Sequence, residues 1–97
     1  GVTARDIVYD LGSGDGRVLI YAAKHFGARG VGIEIEGHRV LEARTAARKA
    51  GLARRVKFTE QDIFKADIRP ATVVFMYLYT AVMARLTRSA ECVGSKR

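Results

Sequence analysis

The sequence predicts a doubly wound α/β domain built on a parallel sheet, and three observations predict it. Short apolar, β-prone runs alternate with amphipathic helical stretches along the chain. A glycine-dense turn, Gly12-Ser13-Gly14-Asp15-Gly16, separates the first apolar run from the first helical stretch. The apolar runs are continuous rather than alternating, as in strands buried on both faces. Right-handed connections then give four strands in the order 3-2-1-4, wrapped by helices on both faces.

Each element has its own warrant. Ile7 to Leu11 is mostly apolar and β-prone and stops at Gly12, so it reads as a buried strand. From Arg17 to Phe26 the residues Val18, Leu19, Ala22, Ala23 and Phe26 fall on one helical face, and Gly27 ends the helix. Gly30 to Ile35 is a second strand whose glycines imply close packing or a bulge. Gly37 to Ala50 makes a second helix with Val40, Ala43, Ala47 and Ala50 inward, capped by Gly51-Leu52. Val56 to Thr59 and Thr72 to Leu78 are strands three and four, and a last helix starts near Thr80. Residues 62–71 are too short and irregular for a helix, and Pro70 closes them.

Composition bounds the rest. At 97 residues, 48% apolar and 28% charged, the chain is one ordinary globular domain rather than a disordered one. A single cysteine, Cys92, excludes a disulfide framework, and no apolar run is long enough to span a membrane. No metal site is expected, and the setting is a reducing, cytoplasmic one. The chain opens on Gly1-Val2-Thr3 without an initiator Met, and only four strands are legible. The expectation is therefore the N-terminal half of a larger domain, over residues 1–88, cut before a fifth strand, with 89–97 an irregular tail. Strand four would then carry an exposed apolar edge, an invitation to dimerise.

The glycine turn carries the chemistry. In such sheets ligands bind beyond the carboxyl ends of the strands, where glycines let the backbone approach a ligand closely. Glu34 ends strand two about 20 residues after the turn, placed to accept from ribose hydroxyls. A dinucleotide fingerprint needs G-x-G-x-x-G, which would put glycine where Arg17 stands. Asp15 would also repel a pyrophosphate. S-adenosylmethionine (SAM) is net cationic instead. Asp10, Asp15, Glu34 and Asp62 follow strand ends and make an acidic mouth on a chain of charge +7. That mouth suits SAM better than NAD.

Asp10 to Gly16 resembles the first motif of the class I SAM-dependent methyltransferases, whose fold is Rossmann-like. Glu34 matches their acidic residue after strand two, and Gln61-Asp62-Ile63 resembles their adenine-contacting segment. The resemblance implies that Asp10, Gly12 and Gly14 line the methionine end of SAM, with Ser13, Asp15 and Gly16 completing the turn. It implies Glu34 on the ribose, and Asp62 with Ile63 on the adenine. Asp10 to Arg17 and Ala71 to Tyr79 are also similar to small non-SET protein-lysine methyltransferases, the ATP-synthase c-subunit type. The acceptor so implied is a protein lysine. The strand-four sequence Met76-Tyr77-Leu78-Tyr79 departs from the Asn-Pro-Pro-Tyr type of adenine and glutamine methylating enzymes.

Plainer readings stand beside these. Asp15 also suits a helix cap, and Asp62 a solvated loop carboxylate. Tyr77 and Tyr79 at the mouth would surround a cationic amine, or simply pack a strand end. His25, in the last turn of helix one, has no second ligand nearby in sequence, and His38 opens helix two on the solvent side. Residues 37–57 hold seven basic side chains (Arg39, Arg44, Arg48, Lys49, Arg54, Arg55 and Lys57) against Glu42 alone. They read as a solvated helix face, an RNA footprint, or a steering patch for an acidic partner. An RNA methyltransferase, an NAD(P)-dependent oxidoreductase fragment and a non-catalytic basic module are the alternative functions.

Overall fold

The structure, a computed structural model, describes residues 1–76 together with Gly94 and Ser95. Strands β1 (Ile7–Leu11), β2 (Arg29–Glu34), β3 (Val56–Glu60) and β4 (Val73–Met76) form a parallel sheet in the order 3-2-1-4. Helices α1 (Arg17–Phe26) and α2 (Gly37–Lys49) connect the first three strands. A fifth strand, β5 (Gly94–Ser95), pairs antiparallel with β4 at Val73 and Val74. The four parallel strands and their order are as expected; what the sequence did not announce is that Gly94 and Ser95, within the stretch expected as a tail, pair with part of the strand-four edge. Pairing of so short a strand uses backbone groups alone, so no side-chain pattern announces it. β5 thus covers the first half of the β4 edge, at Val73 and Val74.

Among the described residues both helices lie on one face. Leu19, Ala22 and Ala23 of α1 and Val40, Ala43 and Ala47 of α2 pack with Val8, Val56, Phe58 and Val73. Two right-handed crossovers in the same direction, β1 to β2 to β3, require this. The return from β3 to β4 crosses to the other face. There Ile63, Ala66 and Ile68 of the connection pack on Tyr9, Leu11, Ile33, Val74 and Met76. The connection is irregular apart from one 3₁₀ turn, Ile63–Lys65.

The predicted helix faces are partly corrected. Val18 and Phe26 are exposed, at 41% and 46%, and Ala50 is exposed as well. The buried stripe of α1 is narrower than its apolar stripe, because small alanines bring the helix axis close over a limited part of the sheet. The α2 terminus follows the expected cap closely. Gly51 takes φ +74, its N–H donates to the Arg48 carbonyl, and the Leu52 N–H donates to the Ala47 carbonyl at 2.8 Å. The β2 glycines mark close packing and not a bulge, since the register with β1 is unbroken. A Cβ on Gly30 would stand 2.9 Å from Leu19 Cδ2.

At the foot of the sheet Asp6 is 1% exposed. Its carboxylate accepts from the Thr3 N–H at 2.8 Å and from the Thr72 hydroxyl at 2.8 Å. The same hydroxyl oxygen accepts from the Ile7 N–H at 2.9 Å. This staple ties the start of β1 to the start of β4. Asp6→Ala leaves Thr3 and Thr72 donors without their acceptor and is expected to cost about 2–4 kcal/mol. Urea denaturation checks it; a loss below about 1 kcal/mol would contradict the staple.

Candidate functional site

Strands β1, β2 and β3 end at one mouth. Gly12 and Ser13 continue past β1, both donating their N–H groups to the Ile33 carbonyl, at 2.8 and 3.1 Å. Gly12, Gly14 and Gly16 all take left-handed φ values (83, 57 and 84°), and Gly16 is the N-cap of α1. At Gly16 the requirement is double: a Cβ would also lie 2.6 Å from Phe58 Cζ and 2.9 Å from Ala43 Cβ. The ring of Phe58 lies under the turn, and Gly32 makes room for it from β2.

Glu34 is buried, at 8% exposure, and both of its oxygens are engaged. Oε1 accepts from the Gly14 N–H at 2.8 Å, and Oε2 from the Glu36 N–H at 3.1 Å. The carboxylate thus holds the β1–α1 turn against the β2–α2 turn. Each oxygen keeps a further lone pair. Beside Glu34, Ile35 stands 64% exposed at the mouth, a large apolar side chain that periodicity alone did not single out as functional. Its signal is position: it directly follows the acidic strand end.

Asp10 is strongly perturbed. It is 3% exposed, and its Oδ1 has no hydrogen-bond partner among the described residues. Burial, reinforced by the Glu34 charge, pushes its carboxyl up to about 6. Ser13 is 7% exposed, and its Oγ is likewise unpartnered. An unmatched buried polar atom costs about 1–3 kcal/mol, so two of them within four residues of the β1–α1 turn mark a place prepared for something else.

Asp15 and Asp62 turn out to be locally occupied. Asp15 pairs with Arg17 at 2.8 Å and accepts the Arg17 N–H at 3.2 Å, and that side-chain hydrogen bond holds its carboxyl below the usual range. Its charge is therefore mostly answered, and the repulsion of a pyrophosphate rests on Asp10 and Glu34. Asp62 caps the 3₁₀ turn through the Phe64 N–H at 2.9 Å, while Ile63 packs on the second face of the sheet. Arg39 leans over the turn, with Nη1 3.4 Å from where a Gly14 Cβ would be. Its Nε is 3.8 Å from Glu36 Oε2. His25 stacks on Tyr21 with ring centroids 4.1 Å apart on the exposed side of α1. Tyr77, Tyr79 and Cys92 lie outside the described residues. Among the described residues no group of three metal-ligating side chains occurs, and no helix is long and apolar enough to cross a membrane.

Comparison with known proteins places this geometry. Residues 10–93 match the ANTKMT methyltransferase domain. A protein-lysine N-methyltransferase of Saccharolobus islandicus (strain REY15A) is 44% identical over 91 residues, covering 93% of this chain and 56% of the relative. The ATP synthase c-subunit lysine N-methyltransferase of Caenorhabditis elegans is 31% identical over 77 residues, covering 79% of this chain and 40% of its own. The crystal structure of an RNA methyltransferase from Salinibacter ruber with S-adenosyl-L-homocysteine superposes with a TM-score of 0.85 at 49% identity. That likeness covers 95% of this chain and 61% of the other. The chain thus spans about half the length of the curated relatives it matches.

Proposed function

Because the chain belongs to the ANTKMT methyltransferase domain family, we propose that residues 1–88 form the SAM-binding half of a methyltransferase acting on a protein lysine. The observation that carries the cofactor reading is the pair of unpartnered buried atoms, Asp10 Oδ1 and Ser13 Oγ, set at the glycine turn. The residues fit the ligand. Asp10 offers an acceptor to an ammonium donor, and Ser13 a hydroxyl of either polarity. Glu34 keeps free lone pairs for ribose hydroxyls, and the left-handed glycines leave the turn open to close approach. Ile35 adds an apolar wall for the adenine beside the Asp62–Ile63 segment.

When bound, SAM supplies an electrophilic sulfonium methyl for in-line transfer to a nucleophile. The chain's own part is to bind and orient. Its buried carboxylates face positive charge, and the fixed turn holds the donor end in one geometry. The protein-lysine acceptor is supported by the relatives' names. The dinucleotide reading loses ground on the same residues, since a pyrophosphate would meet the Asp10–Glu34 pair.

Calorimetric titration with S-adenosylhomocysteine, with NADH as control, tests the site. Binding to the first ligand alone is expected, and Glu34→Ala should weaken it by tenfold or more. That substitution removes both the ribose acceptor and the latch on Gly14 and Glu36. NADH binding without S-adenosylhomocysteine binding would overturn the reading.

A further inference from the structure

The basic residues between 37 and 57 do not form one face. Arg44 is exposed but tied back onto β3, donating Nε and Nη2 to the Phe58 carbonyl at 3.1 and 2.8 Å. Arg39 belongs to the mouth. Arg54 and Arg55 instead meet Arg29, which β2 brings from outside that run. The three line a concavity of about 650 Å³ together with Gly51 and Ala53.

All three arginines are exposed, and among the described residues none forms an ion pair with a carboxylate. Arg55 is anchored, since its Nη1 donates to the Gly27 carbonyl at 2.9 Å. The backbone is tied as well, with the Gly30 N–H donating to the Arg55 carbonyl at 2.9 Å. Three guanidinium groups around one hollow repel each other until an anion is shared between them. Each presents a planar fork that matches a carboxylate or a phosphate. No aromatic ring lines the hollow, so nothing there stacks a base as single-stranded RNA binding requires. The hollow offers an anion only its guanidinium forks, and with a protein as the acceptor that anion is a carboxylate.

We infer that this concavity docks a carboxylate-rich segment of a protein partner. The choice of a protein rests on the lysine-acceptor reading above. Arg29 begins β2 and Glu34 ends it, so docking site and mouth lie about 17 Å apart along the strand at roughly 3.3 Å per residue. A substrate held at the foot of the sheet would need about six extended residues to present its lysine at the mouth.

The test titrates the chain with a blocked hexaglutamate peptide and, separately, with an oligouridylate, at low and high salt. Two double variants remove equal charge: Arg29→Ala with Arg54→Ala at the hollow, and Lys24→Ala with Lys65→Ala elsewhere. Peptide affinity is expected to fall at least fivefold further in the first pair than in the second, and to weaken with salt. No peptide binding, a smaller difference between the pairs, or tighter binding of the oligouridylate would overturn the inference. S-adenosylhomocysteine titration of the same samples separates the two readings. Cofactor binding without peptide binding removes the docking site alone. Peptide binding at the arginines without cofactor binding removes the methyltransferase reading alone.

Discussion

Asp10→Asn is expected to stabilise the free chain at pH 8 by about 1–3 kcal/mol while weakening S-adenosylhomocysteine binding tenfold or more. In the fold the Asp10 carboxyl titrates near 6, against 3.8 for an ordinary aspartate. Between those values the folded chain holds a proton that the unfolded chain has lost. Stability therefore falls as pH rises through that window, and the whole cost is in force above about pH 6. The gap converts to roughly 3 kcal/mol at most. Asparagine carries no charge, so its advantage should vanish near pH 4. Urea denaturation at pH 4 and pH 8 reads the first effect, and calorimetry the second. The wild-type affinity should also drop as pH goes below about 6, because the protonated acid no longer meets a cation. A variant less stable than wild type at pH 8, or one binding the ligand normally, would refute this account of Asp10.

The second large effect concerns Phe58, whose ring fills space left by two glycines. A Cβ on Gly32 would lie 2.5 Å from Phe58 Cδ1 and 2.8 Å from Ser13 Oγ. Gly32→Ala is expected to cost about 2–3 kcal/mol through overpacking alone. Gly16→Ala should cost more, because a left-handed backbone adds about 1 kcal/mol to its clash with the ring and with Ala43. The two differ in rescue. Phe58→Leu should recover at least about 1 kcal/mol of the Gly32→Ala loss, since the ring is its main obstacle. It should recover little for Gly16→Ala, where φ +84 remains. A double-mutant cycle in urea measures both. Equal rescue of the two would show that the ring alone decides at Gly16.

Much of this was legible in the residues. The bounds of β1 and α1 follow from an apolar run meeting glycine and an apolar stripe ending at Gly27. The 3-2-1-4 order follows from handedness. Asp10, Ser13 and Glu34 were legible by place, yet their states were not. That Asp10 is unpartnered while Glu34 latches two turns depends on packing between strands. Asp15 shows the reverse: its partner, Arg17, is two residues away, so spacing alone held the answer. Val18 and Phe26 were misplaced because periodicity defines a face but not how far the sheet extends beneath it. Arg29 was absent from the basic run because only the sheet register sets it beside Arg55. Short β5 has no pattern to read.

The Asp6–Thr72 staple has a consequence in time. Its two residues are 66 apart in the chain, and β4 is the neighbour of β1 on that side. At 5–20 residues per second, a ribosome needs about 3–13 s to make the chain between them. Once β2 has been made, and until Thr72 follows, β1 has β2 on one flank and no strand of its own sheet on the other. The central strand of the finished sheet is thus an edge strand while it is being made.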